Sequence, residues 1–364
     1  MIPCSGILEA DSRGFGFVRA LTLDLRRSPE DCYVPPEMVA KFRLRPGVLL
    51  DGSAQVRMGK SPQLTTLDRV NGGPPAEWAR RKEFHEHEVV SPNEWIRMEG
   101  KQNDLAMRVI DLFSPIGRGQ RGLIVSPPKA GKTILIQQMA HAISANYPDI
   151  DVLVLLIDER PEEVTDIRRR VRGQVFASSS DTERGAQTRL AQLALEVAKR
   201  KVEGGRDVVL LLDSLTRLGR AFNISQKGTG RTMSGGVDAR ALEIPKRIFG
   251  AARKLEGHGS LTILATALIE TNSRMDELIF EEFKGTGNME LVLDRSLANE
   301  RIFPAINLLT SGTRREELLF GPMLREHQEL RRSIARVNPK AAMTAVLRLL
   351  DQYPDNETLL TKVR

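Results

Sequence analysis

The segment Ser126-Pro127-Pro128-Lys129-Ala130-Gly131-Lys132-Thr133 constrains this chain more than any other feature. It lies between the apolar run Gly122-Leu123-Ile124-Val125 and an expected helix over residues 133–143. A buried strand that ends in a glycine-containing loop and then enters a helix leaves free backbone N–H groups converging on one spot. The positive end of the helix dipole stands behind them. Such a turn cradles phosphate. Gly131 permits close backbone approach, Lys132 reaches the β- and γ-phosphates, and the Thr133 hydroxyl is a ligand for Mg²⁺, with Lys129, Ala130 and Ile134 flanking them. The expected ligands are ATP and Mg²⁺. Ser126 occupies the place of the first glycine in G-x-x-x-x-G-K-[ST], so the bare motif is imperfect and a lysine-capped surface loop is the competing reading.

The rest of the chain supplies a matching frame. Residues 151–157, 208–212 and 261–266 are continuous apolar runs, as expected of strands buried on both faces, and residues 188–202 carry helical spacing. This alternation predicts an α/β domain with a mostly parallel sheet. Residues 1–72 instead show short apolar runs between turn residues, which predicts a small β-barrel. Asn71-Gly72-Gly73-Pro74-Pro75 ends it, and residues 73–100 are charged and irregular, as in a linker. The Glu83–Glu88 run there offers histidines and glutamates to a metal, but nothing nearby completes a shell. Residues 101–364 form the second domain, largely helical after about residue 313.

Two acids extend the phosphate site. Asp213 closes the run Leu210-Leu211-Leu212, where a carboxylate suits the neighbourhood of Mg²⁺. Glu159 follows another strand, and ligands in open α/β sheets bind at the carboxyl ends of strands. Glu159 is therefore the candidate base for the attacking water, against a solvated charged turn. Before the first strand stand Gly117, Arg118, Gly119, Gln120, Arg121 and Gly122, whose arginines can approach phosphates or pair with surface acids.

A net charge of +7 and a pI near 9.5 favour a polyanionic partner. Only two cysteines are present, no secretory signal is visible, and no apolar stretch reaches the ~20 residues that span a bilayer, so a cytoplasmic protein without membrane contact is expected. Phe15 and Phe17 alternate onto one face of a strand, which makes either a stacking platform for unpaired bases, with Arg19 adding a cation, or part of a barrel core.

Together, Pro115–Arg121 and the phosphate loop resemble the RecA-type hexameric ATPases, which include rotary ATP synthase subunits. Leu156–Val164, Asp213–Arg217, Ser234–Ala239, Glu281–Glu290 and Ser311–Glu317 resemble the Rho family of terminators more specifically. The resemblance implies a RecA-like ATPase domain behind a cold-shock-like OB-fold barrel. It implies a homohexamer that translocates 5′ to 3′ along single-stranded RNA, unwinds RNA–DNA hybrid and terminates transcription, with RNA polymerase and Nus-type factors as partners. On this reading Lys132, Thr133, Glu159 and Asp213 keep their roles, and Arg314 is an arginine supplied to the neighbouring subunit. Arg160 and Arg217 couple nucleotide state to the ring interior, and Phe303 packs on adenine.

In the barrel, Asp31 and Tyr33 match the base-contacting strand, while Ser61-Pro62-Gln63-Leu64 has no aromatic partner to offer. Arg231 and Lys284 lie in glycine-flanked loops that match the two pore loops. Mobile cations of this kind can track a backbone without reading sequence, although a solvated loop explains either one taken singly. The chain begins at the barrel, without the small helical subdomain usual before it in the family, and weaker RNA capture is expected. Two other readings are a rotary synthase subunit, which leaves Phe15, Phe17 and the basic loops unexplained, and a ring that binds RNA passively.

Overall fold

The computed structural model describes residues 1–57, 59–179, 184–225, 236–238 and 240–362. Strands β1 (Ile2–Ala10), β2 (Gly16–Arg19), β3 (Cys32–Val34), β4 (Leu49–Arg57) and β5 (Lys60–Val70) close a barrel in the order β1-β2-β3-β5-β4. Strand alternation sends Leu8, Val18, Val34, Leu50, Ala54 and Leu64 inward, each at most 4% exposed. Phe17 and Tyr33, one residue out of phase with Val18 and Val34, face outward.

The later strands are β6 (Val89–Val90), β7 (Trp95–Ile96), β8 (Ile116–Gly117), β9 (Arg121–Ser126), β10 (Ile150–Glu159) and β11 (Gln174–Ser179). They continue with β12 (Asp207–Asp213), β13 (Arg253–Leu255), β14 (Ser260–Leu268), β15 (Met289–Val292) and β16 (Gly312–Thr313). The large sheet runs β11-β10-β12-β14-β9-β15-β16, parallel along this path except for the last pair, and β13 adds to β14 and β6 to β13 as antiparallel strands. Helices Leu105–Phe113 and Lys132–Asn146 and the C-terminal helices cover one face. Helices Arg184–Glu203, Leu215–Ser225, Glu243–Gly250 and Arg274–Lys284 cover the other. Burial on both faces is why β10, β12 and β14 are apolar along nearly their whole length. Among the described residues no helix is long and apolar enough to cross a membrane.

The stretch 73–100 differs from the expected irregular linker. Trp78 and Phe84 are buried, β6 pairs with β13 at the sheet, and β7 pairs with β8. Its scattered apolar residues, diluted by charge in the composition, are the ones that pack. His87 stacks on His258 at 4.6 Å, and among the described residues no group of three or more His, Cys, Asp or Glu gathers as a metal site.

One buried carboxylate joins barrel, connecting stretch and sheet. Glu203, at the end of helix Arg184–Glu203, meets Arg45 of the barrel at 2.8 Å and Arg200 at 3.1 Å. It also accepts the Phe84 backbone N–H at 2.8 Å. Gly47 makes the close approach possible: its φ is 90°, and a Cβ there would stand 2.3 Å from the Glu196 carbonyl carbon. Removing one partner of a buried ion cluster leaves uncompensated charge and costs about 3–5 kcal/mol. Glu203→Ala is therefore expected to lower the urea midpoint and expose residues 73–100 to protease. A wild-type midpoint and cleavage pattern would show that this clasp contributes little.

Candidate functional site

Three strands deliver the chemistry to one edge. Ser126 of β9, Asp213 of β12 and Glu159 of β10 all stand at carboxyl ends, with Ser126 paired to Leu268 and Asp213 to Leu156. Gly131 caps helix Lys132–Asn146 with φ 91°, a left-handed conformation that favours glycine and turns the loop into the helix. Lys132 leaves the first turn and places its Nζ on Asp213 Oδ1, with Glu159 Oε1 3.6 Å away. Thr266 of β14 donates its hydroxyl to the same Asp213 oxygen at 2.8 Å. Ala130 is buried, Lys129 is exposed with φ 66°, Thr133 is half-buried, and Ile134 is 61% exposed.

Glu159 is aimed by its backbone. The β10–β11 register shifts between Ile157 and Glu159, and Asp158 has φ 58°, so the strand kinks where the carboxylate enters the site. Arg217 approaches Glu159 Oε1 at 3.1 Å and also donates to the Asp158 carbonyl. Burial, followed by the Asp213 carboxylate, pushes Glu159 up to about 7 against the opposing pull of Lys132 and Arg217. Among the described residues neither Glu159 Oε2 nor Asp213 Oδ2 has a hydrogen-bond partner although both are buried, and Glu159 Oε1 meets only the Arg217 and Lys132 cations. An unpartnered carboxylate oxygen, on the edge where the helix bearing the half-buried Thr133 begins, fits a hydrated Mg²⁺, which takes few protein ligands and completes its shell with water and phosphate.

The other expected nucleotide residues divide into two groups. Phe303 is 47% exposed and borders the loop, its ring 3.8 Å from where a Cβ on Gly131 would stand. Arg160 is exposed at the start of helix Pro161–Arg170, beside Glu159.

Gly117, Arg118, Gly119, Gln120, Arg121 and Gly122 correct the expectation that they share the loop's nucleotide. They enter β9 at its amino end, about 16 Å of strand from Ser126. Arg118 pairs there with Asp207 and Glu94, and Gly119 donates to the Thr262 hydroxyl. Gln120 donates to Asn288, and Arg121 donates to the Thr286 and Ala252 carbonyls. Arg314 follows β16 at this same far end: Thr313 is paired with Met289, which is itself paired with Gly122. Its side chain is exposed. That is farther than an arginine extends, so Arg314 lies outside its own chain's phosphate site.

On the barrel, Phe15, Phe17 and Tyr33 form a half-exposed trio with centroids 5.7–5.9 Å apart. The core reading of the two phenylalanines is thereby set aside. Arg19 and Asp31 need correction as free contacts. Arg19 is 6% exposed and paired with Asp31 at 2.5 Å and Glu9 at 2.6 Å, because the barrel end packs against helix Arg184–Glu203 through Arg189 and Glu9. An exposed cation at the platform is Arg13, 4.7 Å over Phe15 and paired with Asp11 at 2.9 Å, which sequence reasoning missed. Its signal was the polar turn Asp11-Ser12-Arg13-Gly14 just ahead of the aromatics. Gln63 sits beside Tyr33 where an aromatic was sought. Lys284 is exposed at the end of helix Arg274–Lys284, and Arg231 lies outside the described residues.

Arg19→Ala leaves the buried Asp31 without its cation, while Glu9 keeps Arg189 and Arg27, and is expected to destabilise the barrel by about 3 kcal/mol. Phe15→Ala, with a partly solvated ring, is expected to cost no more than about 1 kcal/mol. Urea titration of both variants checks the ranking, and the reverse order contradicts the assignment of these side chains.

Residues 4–76 match the Rho termination factor RNA-binding domain, and residues 106–313 match the nucleotide-binding domain of the ATP synthase alpha/beta family. The transcription termination factor Rho of Pseudomonas aeruginosa is 48% identical over 364 residues, covering 98% of this chain and 86% of the relative. That of Neisseria gonorrhoeae is 50% identical over 321 residues, covering 87% and 77%. Among solved structures, an ATPase of a bacterial type III secretion system aligns with TM-score 0.64 at 20% identity, over 85% of this chain and 94% of that one. The secretion ATPase EscN of enteropathogenic E. coli aligns with TM-score 0.61 at 22% identity, over 76% and 72%. These two show the shared fold. The sequence relatives go further: the chain belongs to the transcription termination factor Rho family.

Proposed function

We propose that the chain is an RNA-dependent ATPase that assembles as a homohexamer, translocates 5′ to 3′ along single-stranded RNA, unwinds RNA–DNA hybrid and terminates transcription. The convergence of Lys132, Glu159 and Asp213 on one edge of the sheet carries this reading. Residues 1–72 capture RNA on the aromatic trio, 73–100 connect, and 101–364 pull. The ring works in the cytoplasm on a nascent transcript, within reach of RNA polymerase and Nus-type factors.

The residues divide the work. Lys132 exchanges its carboxylate contacts for β- and γ-phosphate oxygens when nucleotide arrives, and the loop N–H groups hold the rest of the chain of phosphates. Thr133 and Asp213 would hold Mg²⁺, which supplies charge neutralisation at the phosphates. Glu159, steered by Arg217, takes the proton of the attacking water. Arg314 enters from the neighbouring subunit and offsets charge developing in the transition state, so hydrolysis depends on ring closure. Lys284 and Arg231 follow the RNA backbone through the pore.

Single-stranded pyrimidine-rich RNA is expected to stimulate ATP hydrolysis strongly; unchanged turnover contradicts the proposal. Glu159→Gln should keep ATP binding while kcat falls at least ~100-fold. With its carboxyl raised to about 7, Glu159 is protonated and unable to accept a proton below that pH. In the parent protein kcat/KM is therefore expected to fall about tenfold per pH unit below about 7 and to level off above it. A flat profile from pH 5.5 to 8.5 in a ring still active on RNA would remove Glu159 as the base.

A further inference from the structure

We propose that Asn288 is a positioning residue that couples the Lys284 loop to Arg314, so that the state of the pore in one subunit sets the arginine lent to the next. The proposal rests on the RNA-motor reading above. From Lys284, at the end of its helix, only Gly285, Thr286 and Gly287 intervene before Asn288 leads into β15. Every described polar contact of Asn288 then ties two loops together. Its backbone N–H donates to the Arg121 carbonyl at 3.0 Å. Its side-chain Oδ1 accepts from the Arg121 N–H at 2.9 Å and from Gln120 Nε2 at 2.7 Å. Its carbonyl accepts the Arg314 N–H at 2.9 Å and Gln120 Nε2 at 3.1 Å.

The anchors are rigid. Gln120 is 1% exposed, and its Oε1 accepts from Gly117 at 3.3 Å. Arg121 begins β9 and reaches along the Lys284 loop to the Thr286 carbonyl at 3.1 Å. The residue after Asn288 pairs with Thr313, directly before Arg314. A pull on the Lys284 loop is therefore opposed at Gln120 and Arg121, and what it displaces is the peptide that holds Arg314. A well-satisfied, part-buried amide network resists deformation, so the two loops share one position rather than moving separately. This also gives the glycine-arginine run before β9 a role at the far end of that strand, away from its own phosphate loop.

Both donors to Oδ1 are N–H groups, so an aspartate at this position keeps the acceptor and a leucine removes it with little change of size. In RNA-activated rings, Asn288→Leu is expected to lower kcat about 10- to 100-fold, with the KM for ATP and the affinity for RNA near parent values. Asn288→Asp is expected to restore most of the loss. Combined with Arg314→Ala, Asn288→Leu should add nothing further, because both act through one group. Parent-like turnover of Asn288→Leu, failure of the aspartate to rescue, or a double variant worse by the full single-variant factor would each overturn the coupling. Should Asn288→Leu fail to assemble, Gln120→Leu carries the same expectation, since it removes the amide that grips Asn288. Arg314→Ala alone tests the underlying reading: if that ring hydrolyses ATP normally with RNA, the loaned arginine fails whatever Asn288 does.

Discussion

The ammonium of Lys132 between Asp213 and Glu159 is the contact on which the rest of the site depends. Two carboxylates, each about 1% exposed, converge at the end of a parallel sheet, where their mutual repulsion in a poorly solvated site is costly. Lys132 offsets that repulsion only because the turn at Gly131 starts its helix at this edge. Arg217 compensates Glu159 from the other side. Remaining imbalance appears as a raised Glu159 and, among the described residues, as two unpartnered oxygens, Glu159 Oε2 and Asp213 Oδ2, which is the state of a site shaped for phosphate, metal and water.

Strand polarity then decides the architecture. The parallel sheet places the phosphate loop, Asp213 and Glu159 at one end and Arg314 with the Gly117–Gly122 run at the other. On the proposed function, a subunit therefore presents a half-site at each end, and neither is complete without a neighbour. The barrel is fixed to this frame through Glu203 and Arg45, and Phe17 of its aromatic trio lies 5.1 Å from the buried Arg19, which is held by Asp31 and Glu9.

Much of this was legible in the sequence, for identifiable reasons. Strands buried on both faces announce themselves as unbroken apolar runs, and the expected strand over 151–157 was found as Ile150–Glu159. The helix expected over 133–143 runs Lys132–Asn146, since helix ends carry weaker signals than the middle. Asp213 and Glu159 were found because carboxylates at the ends of such runs have few other uses. The Gly117–Gly122 run was misplaced because nearness in sequence to the phosphate loop means distance in space when a strand lies between. Arg19 was expected at the face because charge suggests exposure, and Asp31 because it matches the family's base-contacting strand, whereas a tertiary pair buries both. Asn288 carried no local signal, since its role exists only where three loops meet.

That the site is divided between subunits is best tested by mixing. Subunits carrying Glu159→Gln keep Arg314, and subunits carrying Arg314→Ala keep Glu159. Neither is expected to hydrolyse ATP alone on RNA. In co-assembled rings, interfaces that join an intact Glu159 to an intact Arg314 should give a burst of hydrolysis in a single-turnover measurement. If Arg314 served its own chain, every site in the mixture would carry a defect, and the absence of any burst would contradict the account.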